Sequence, residues 1–357
     1  MVYGQNTSAT TEENFLEGVN GVDVIPGYAA FDEMVFHVAE ASEADFNAMM
    51  MQIGVQELAF LEENKTEMIY EEGKVKGMVD KVIKFFQDMW EKLKGMFNKA
   101  LDTINTKTME WRRKMFDKLG GDAKSFMQKR VSNLKADAKF GSSYKDLLES
   151  ADLSKKPNEI ITKINSKDAD IEKAYTDAAA AEKNGNSADT NALDDKLKGY
   201  VNEVIHSVAS ADVSNISTIV KHMKDKLHGQ RFDVDGAWVK SHWDHIWTEA
   251  TEFPQTKRDI KSTYKAAEKS YNNAIKACKK ADNSKIFSAS AYSKAVKAYK
   301  DLRQICSACC QAQVSCLNER QSFFRSIVMK VAVSKPVKEA AVSESTTVDG
   351  IDSLFAW

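Results

Sequence analysis

The stretch from Lys74 to Ile104 constrains the fold of this chain most, because its apolar residues recur at the three-and-four spacing of one helix face. The opposite face is mostly lysine. A continuous helix here would be about 45 Å long, and its apolar stripe has to lie in a protein core, a partner's groove or a bilayer surface. The stripe contains Val75, Met78, Val79, Val82, Phe86, Met89, Leu93, Phe97, Ala100 and Ile104, and it is widened by Phe85, Trp90, Met96 and Leu101.

The composition favours helix throughout the chain. Four prolines and sixteen glycines are few for 357 residues, whereas Ala, Lys, Glu, Asp and Met are plentiful. The sequence therefore predicts an all-α protein, a multi-helix bundle with long antiparallel helices and flexible N- and C-terminal arms. Helices over about 255–281 and 289–333 have a short connection between them, so we expect them to form an antiparallel hairpin.

Changes in polarity along the chain predict five regions. Residues 1–27 are expected to be a flexible arm, and 28–141 an acidic-then-basic helical domain that contains the long amphipathic helix. A polar linker or a set of weakly packed helices is expected over 142–191. Residues 192–333 are predicted to form a second helical bundle that contains the hairpin, and 334–357 a disordered tail with a terminal docking peptide.

Local signals divide these regions further. In the first domain, a separate helix over 106–119 is expected to follow the long one and to stop at Gly120-Gly121, and another is predicted over 122–140. In the second bundle, helices are predicted over 192–209 and 213–228.

The charge is distributed unevenly along the chain. Residues 1–73 carry fifteen acidic residues and one basic residue, Lys65, a balance of −14, so the remainder carries +12 of the formal net charge of −2. An acidic head and a basic body can neutralise each other within an assembly, or the body can face nucleic acid or an anionic lipid surface. We favour mutual neutralisation.

Nothing in the sequence predicts a secretion signal or a membrane-spanning helix. No run approaches the roughly 18 apolar residues that a spanning helix needs, and the first fifteen residues have neither a basic start nor an apolar core. We expect neither a secreted precursor nor an integral membrane protein. The odd number of cysteines, five, is consistent with a reducing compartment.

The cysteines at 306, 309, 310 and 316 are the first candidates for a metal site. Their spacing is helical, whereas zinc ligands usually come from loops or from a helix that meets a loop. We therefore favour buried, reduced thiols that fill gaps between helices, and keep a redox or intersubunit disulfide and a metal site as alternatives. The same question applies to Cys278, the fifth cysteine.

His242 and His245 are the second candidates for metal binding, since a His-x-x-His pair can share a helix face. No further ligand follows at a recognisable spacing, and Trp238, Trp243 and Trp247 around them indicate an aromatic packing layer. Phosphate-binding, nucleophile-elbow and His-Glu-x-x-His motifs do not occur. We predict no catalytic residue, no cofactor and no metal, and we expect a protein that is not an enzyme.

Two sets of apolar residues are predicted to bind partners. At the end of the tail, a short apolar peptide is expected to dock on a neighbouring protein, with packing on the chain itself as the alternative. In the long helix, four aromatic residues are expected to pack in a helical core or a partner's groove. The first set is Ile351, Leu354, Phe355 and Trp357, and the second is Phe85, Phe86, Trp90 and Phe97.

The block over residues 41–101 contains EADFNAMM and IGVQEL segments, an acidic piece that ends in IY, and the lysine-rich FFQDMWEKLKGMF helix. With these segments it resembles the N-terminal block of virion structural proteins from large tailed bacteriophages. The resemblance implies a non-enzymatic virion component that packs against other virion proteins, and it leaves open the head interior, the capsid wall and the tail. Among these we favour a protein associated with the head or the capsid interior over a tail protein, with homo-oligomers as one arrangement. Two alternatives stay open. One is a membrane-active helical protein ejected with the genome, and the other is an organiser of nucleic acid inside the head.

Overall fold

The computed structural model describes residues 72–116, 123–184, 190–209, 216–282 and 287–334. Within these residues the chain forms nine helices and one small two-stranded sheet, so the predicted all-α fold is confirmed. The helices are α1 (Glu72–Phe116), α2 (Ala123–Ser132), α3 (Lys145–Glu149), α4 (Lys155–Lys183), α5 (Thr190–Val208), α6 (Ile216–His228), α7 (Gly236–Glu252), α8 (Pro254–Asp282) and α9 (Ala289–Val333), and the strands are β1 (Lys139–Tyr144) and β2 (Arg231–Asp235).

Helix α9 is the centre of the fold. It packs against α1, α2 and α4 through α8, and its residues 305–314 are all buried. A helix that is enclosed on every side needs small or apolar residues all round, and the alanines and cysteines of this segment meet that need.

Helices α8 and α9 run antiparallel, as the hairpin prediction required. The Tyr271 hydroxyl, past the middle of α8, lies 2.7 Å from the Ser307 hydroxyl. Gln321, further along α9, donates to the Thr256 hydroxyl near the start of α8 at 2.9 Å. Contacts that move backward along one helix as they move forward along the other define an antiparallel pair.

Helix α1 continues through both predicted helices, 74–104 and 106–119, as far as Phe116. The reason is that its buried positions keep the helical spacing past Ile104, at Thr108 and Trp111. The apolar stripe lies mainly against α8, so the chain's own core covers it.

The predicted helix over 122–140 is wrong beyond Ser132, where α2 ends. Residues 139–144 instead pair antiparallel with 231–235, and the register is interrupted between Lys139 and Gly141. Gly141 has φ of +104°, a conformation that a side chain disfavours, so glycine allows this bulge.

Of the two alternatives predicted for 142–191, the polar linker does not fit the central part, which is helical as the alternative of weakly packed helices expected. Helix α4 covers 29 residues, and Ile161, Ile164 and Ile171 are fully buried against α5, α8 and α9. Regularly spaced isoleucines outweigh the polar composition, because one narrow apolar stripe is enough to pack a helix. Through α8 and α9, the two predicted helical domains share one core in the described residues.

Several predictions lie outside the described residues. These are the arm over 1–27, the acidic part of the first domain up to residue 71, the stop at Gly120-Gly121, and the tail beyond Ser334 with its terminal peptide. Helices α5 and α6 occupy the ranges that were predicted as 192–209 and 213–228.

Candidate functional site: polar groups enclosed around helix α9

The enclosure of α9 forces its polar side chains into the core. Arg303 and Arg320 are completely buried, and Arg325 is 4 % exposed. A buried guanidinium is unfavourable unless other groups neutralise or hydrogen-bond it. Each of these three arginines therefore marks a place where another helix supplies a polar partner to α9.

The first polar cluster joins α9 to α4. Arg303 donates from Nη2 to Asp168 Oδ2 at 2.6 Å, and both side chains are nearly or completely buried. The Tyr299 hydroxyl donates to the Asp168 carbonyl at 3.3 Å. Burial raises the pKa of Asp168, and the positive charge of Arg303 offsets part of that rise. The cluster fixes the register of α4 against α9.

The second cluster joins α7, α8 and α9. Arg320 lies 3.3 Å from Asp259 Oδ2 and 3.9 Å from Glu249 Oε2. Glu249 also accepts hydrogen bonds from the backbone N–H groups of Gln255 and Thr256, at 2.6 and 3.3 Å. These donors lie in the first turn of α8, which has no carbonyl partners for them, so Glu249 caps α8 from the preceding helix.

Asp259 is the titratable group of this cluster. Burial raises its pKa to about 6, although Arg320, the Leu153 backbone N–H and the Gln255 amide favour the charged form. The Leu153 N–H donates to Asp259 Oδ2 at 3.2 Å. One arginine thus faces two carboxyl groups, and Asp259 is expected to take up a proton in mild acid.

The third cluster joins α9 to α1 through Arg325. Its Nη2 donates to the Thr108 hydroxyl, and burial lowers its pKa to about 10. The pKa of Lys107 is lowered mainly by its own burial and further by the positive charge of Arg325. Two basic groups, Arg325 and Lys107, therefore lie close together at this contact, with the acidic Glu110 nearby.

The fourth cluster lies where the end of α6 meets the middle of α9. His228 Nε2 is 2.8 Å from Glu319 Oε2, and Lys224 Nζ is 2.8 Å from Glu319 Oε1. The Tyr144 ring stacks on the His228 ring at 4.1 Å and 6°. Burial alone would raise the pKa of Glu319, but His228 and Lys224 lower it below its ordinary value. Cys316 lies beside this pair, one turn before Glu319 on the same helix.

The five cysteines are all buried free thiols, which agrees with the interpretation that they fill gaps between helices. Burial raises the pKa of Cys278 to about 12 and also raises the pKa values of Cys309, Cys310 and Cys316. A thiol that stays protonated is a poor nucleophile.

His242 and His245 both make packing contacts. His242 stacks on Trp238 at 4.3 Å, and His245 meets the Phe324 ring edge-on at 5.4 Å. Burial lowers the pKa of His245, which favours its neutral form. Among the described residues, no third ligand joins this pair. The interpretation as an aromatic layer therefore fits these residues better than a metal site.

The aromatic residues of α1 that were predicted to bind partners lie within the body. Phe86 and Phe97 are 0 and 1 % exposed, while Phe85 and Trp90 are half-buried against the same core. Trp90 contacts the rings of Tyr264 and Tyr271 at 5.1 and 5.7 Å. A partner or a bilayer could reach Phe86 and Phe97 only if α1 left α8. Ile351, Leu354, Phe355 and Trp357 lie outside the described residues.

An open groove of about 280 Å³ lies between α5, α6 and α9. Its apolar part includes Leu197, Val201 and Ile305, and its rim includes Lys198 and Lys297. The same lining also carries carboxyl groups, Asp194 and Asp301, and burial raises the pKa of Asp301.

Sequence reasoning missed the polar clusters along α9. A signal was present, since residues 305–318 of α9 carry no charge, and Arg303 and Arg320 lie close to the two ends of that segment. What the sequence lacked was the identity of their partners. Asp168 and Asp259 are separated from their arginines by 135 and 61 residues.

Comparison with known proteins gives no assignment. No protein family, no curated protein and no solved structure matches this chain.

Proposed function

We propose that this chain is a non-enzymatic structural component of a bacteriophage virion, associated with the head or the capsid interior, where its body packs among other virion proteins. The proposal starts from the resemblance of residues 41–101 to virion structural proteins. The last thirty residues of that block, 72–101, lie in α1, one of the two longest helices that the structure describes.

The observation that carries the proposal is that the buried charged side chains connect helices to one another. Helix α9 is enclosed by its neighbours, and its buried charges are bonded to groups from α1, α4, α7 and α8. These side chains are buried and join the helices to one another. Buried polar pairs of this kind can specify one arrangement of packed helices, which a component with a fixed shape in an assembly needs.

The surface supports contact through polar groups and terminal segments. Among the described residues, Met109 is the only large apolar side chain that is exposed. Monomeric surfaces without an apolar patch bind partners through polar contacts or added segments. We therefore assign stable anchoring to the terminal peptide, with Ile351, Leu354, Phe355 and Trp357 as the anchor residues.

The membrane-active alternative receives less support. Lipid contact would require the aromatic residues of α1 on an exposed face, yet Phe86 and Phe97 are buried against the chain's own helices. None of the described helices carries enough consecutive apolar length to cross a membrane.

The nucleic-acid alternative depends on a continuous basic surface. Helix α1 carries eleven basic and six acidic residues, so lysine and arginine predominate on it, but acidic groups such as Asp80, Asp88 and Glu91 interrupt the basic surface. These interruptions weaken the attraction to a phosphate backbone without removing it, so the nucleic-acid role stays the alternative, and binding that falls steeply with salt would support it.

Incorporation into particles tests the proposal. We expect a tagged copy of the full chain to co-purify with intact particles, and a copy that lacks residues 351–357 to be lost from them. A variant with Glu339 and Glu344 changed to Gln, in the same tail, is the control and should be incorporated normally. Absence of the full chain from particles would refute the virion role, whereas incorporation of the truncated chain would refute only the anchor.

A further inference from the structure

We propose that His228, Cys316 and Glu319 form a zinc site that links the end of α6 to the middle of α9. One nitrogen, one sulfur and one oxygen atom from these residues lie within 4.8 Å of one another. These are the three donor types that zinc takes in proteins. The inference goes beyond the structural role, which requires no metal.

The backbone already places the three donors on one side. Cys316 and Glu319 are three residues apart on α9, so their side chains share a face. His228 is the last residue of α6 and directs Nε2 to within 2.8 Å of Glu319 Oε2. The stacked Tyr144 ring holds the imidazole plane in that direction.

The distances suit a tetrahedral ion. Zinc bonds of about 2.0 Å to nitrogen or oxygen and about 2.3 Å to sulfur require donors roughly 3.3–3.5 Å apart. His228 Nε2 and Glu319 Oε2 are 2.8 Å apart, and all three donor atoms lie within 4.8 Å of one another, so the required separation is within the reach of these side chains. Rotation of the side chains toward that separation would form the site.

The charges also balance. A thiolate and a carboxylate supply two negative charges, which match Zn²⁺. Lys224 holds Glu319 Oε1 and leaves Oε2 directed at His228 and the ion. The C-terminal end of α6, where His228 lies, carries the negative pole of the helix dipole and favours a cation.

The exposure of the ligands predicts the fourth ligand. His228 and Cys316 are buried, whereas the Glu319 side chain is 36 % exposed. Water can therefore complete the tetrahedron from the side of Glu319. Because burial raises the pKa of Cys316, the thiol is protonated before the metal binds, and zinc binding should release a proton.

The test uses the full chain, reduced and stripped of metal with a chelator, and titrated with Co²⁺ and with Zn²⁺ against a chromophoric chelator. We expect one equivalent of Co²⁺ to give tetrahedral visible bands and a thiolate-to-cobalt charge-transfer band. In Cys316→Ser the charge-transfer band should disappear and zinc affinity should fall by at least about 10-fold. Removal of a group that only hydrogen-bonds to a metal ligand already lowers metal affinity by about that factor, so loss of a ligand should lower it at least as much.

Cys309→Ser is the matched control, since Cys309 is a buried thiol two turns earlier on α9 and outside the cluster. It should keep the band and the affinity. His228→Gln should also lower zinc affinity. Thermal melting with and without zinc shows whether each variant folds. Zinc should raise the melting temperature of the unmodified chain and of Cys309→Ser only.

Three results would overturn the proposal. One is the absence of stoichiometric metal binding by the unmodified chain. Another is a charge-transfer band that persists in Cys316→Ser, and the third is zinc affinity unchanged in both Cys316→Ser and His228→Gln. Any of them would leave His228 and Glu319 as a hydrogen-bonded pair beside a packed thiol.

Discussion

The Arg303–Asp168 pair shows how a single residue can hold two helices of this protein in place. The pair is almost completely buried and is bonded at 2.6 Å. If Asp168 is replaced by Asn, the side chain that faces Arg303 keeps nearly the same shape but no longer carries a negative charge. We expect the free energy of unfolding to fall by about 3–5 kcal/mol, the usual loss when one partner of a buried pair is removed.

Denaturant unfolding of Asp168→Asn measures this loss. Asp177→Asn, an exposed position on the same helix, is the matched control and should change stability by less than about 0.5 kcal/mol. Equal effects at the two positions would mean that the buried pair contributes nothing specific.

A second prediction at the residue scale concerns Asp259 and pH. Its pKa is about 6 in the folded chain and about 3.9 in an unfolded one, so the folded state holds the extra proton between those values. The contribution of Asp259 to the free energy of unfolding should therefore fall as pH rises from about 4 to about 6 and then stay level.

The difference in unfolding free energy between the unmodified chain and Asp259→Asn isolates this contribution, because other carboxyl groups titrate in both. We expect that difference to fall across the window. A difference that rises with pH would show that Arg320 keeps Asp259 ionised in the folded state.

At the scale of elements, glycine positions show which helix contacts are tight. A Cβ on Gly236, at the start of α7, would lie 2.0 Å from the Lys135 carbonyl oxygen, whereas a Cβ on Gly199 in α5 would meet nothing within 4 Å. We expect Gly236→Ala to lower the free energy of unfolding by about 1–3 kcal/mol and Gly199→Ala to raise it by up to about 1 kcal/mol.

Thermal or denaturant unfolding of the two alanine variants checks the pair. Opposite signs would confirm that α7 begins against the chain that leaves α2. A neutral Gly236→Ala would instead mean that the contact between Lys135 and α7 can open without cost.

The elements also show what could be predicted from the sequence. The stripe of α1, the hairpin of α8 and α9 and the burial of the cysteines follow from local periodicity, and the structure has them. The strands did not follow, because β1 is short and polar, with Gly141 inside it, and gains its structure only from β2. Helix α4 was underestimated because its polar composition hid a narrow isoleucine stripe.

The candidate site was less predictable than the fold. His228 lies about ninety residues before Cys316 and Glu319 in the sequence, on a different helix. Glu249 caps the start of α8, and it reaches that position because Phe253, between the two helices, adopts a left-handed conformation. Such groupings depend on three-dimensional neighbours, and no spacing rule for a single element encodes them.

At the scale of the whole molecule, the two long helices have different roles. Helix α9 is buried on every side over residues 305–314, whereas α1 buries one stripe and leaves a charged face outward. The described body thus offers a mixed-charge surface, while the acidic balance of the chain lies almost entirely before α1. This division suits a component that folds by itself and meets its neighbours through polar faces and terminal segments.

The most direct test of this account is cryo-electron microscopy of intact, purified particles, with the sequence fitted to side-chain density. The account predicts ordered copies at repeated positions in the head, with Phe86 and Phe97 of α1 covered by α8 of the same chain. The account would be contradicted if mass spectrometry found the chain in the particles while no repeated position held it, or if α1 lay apart from α8 with its aromatic stripe against another molecule.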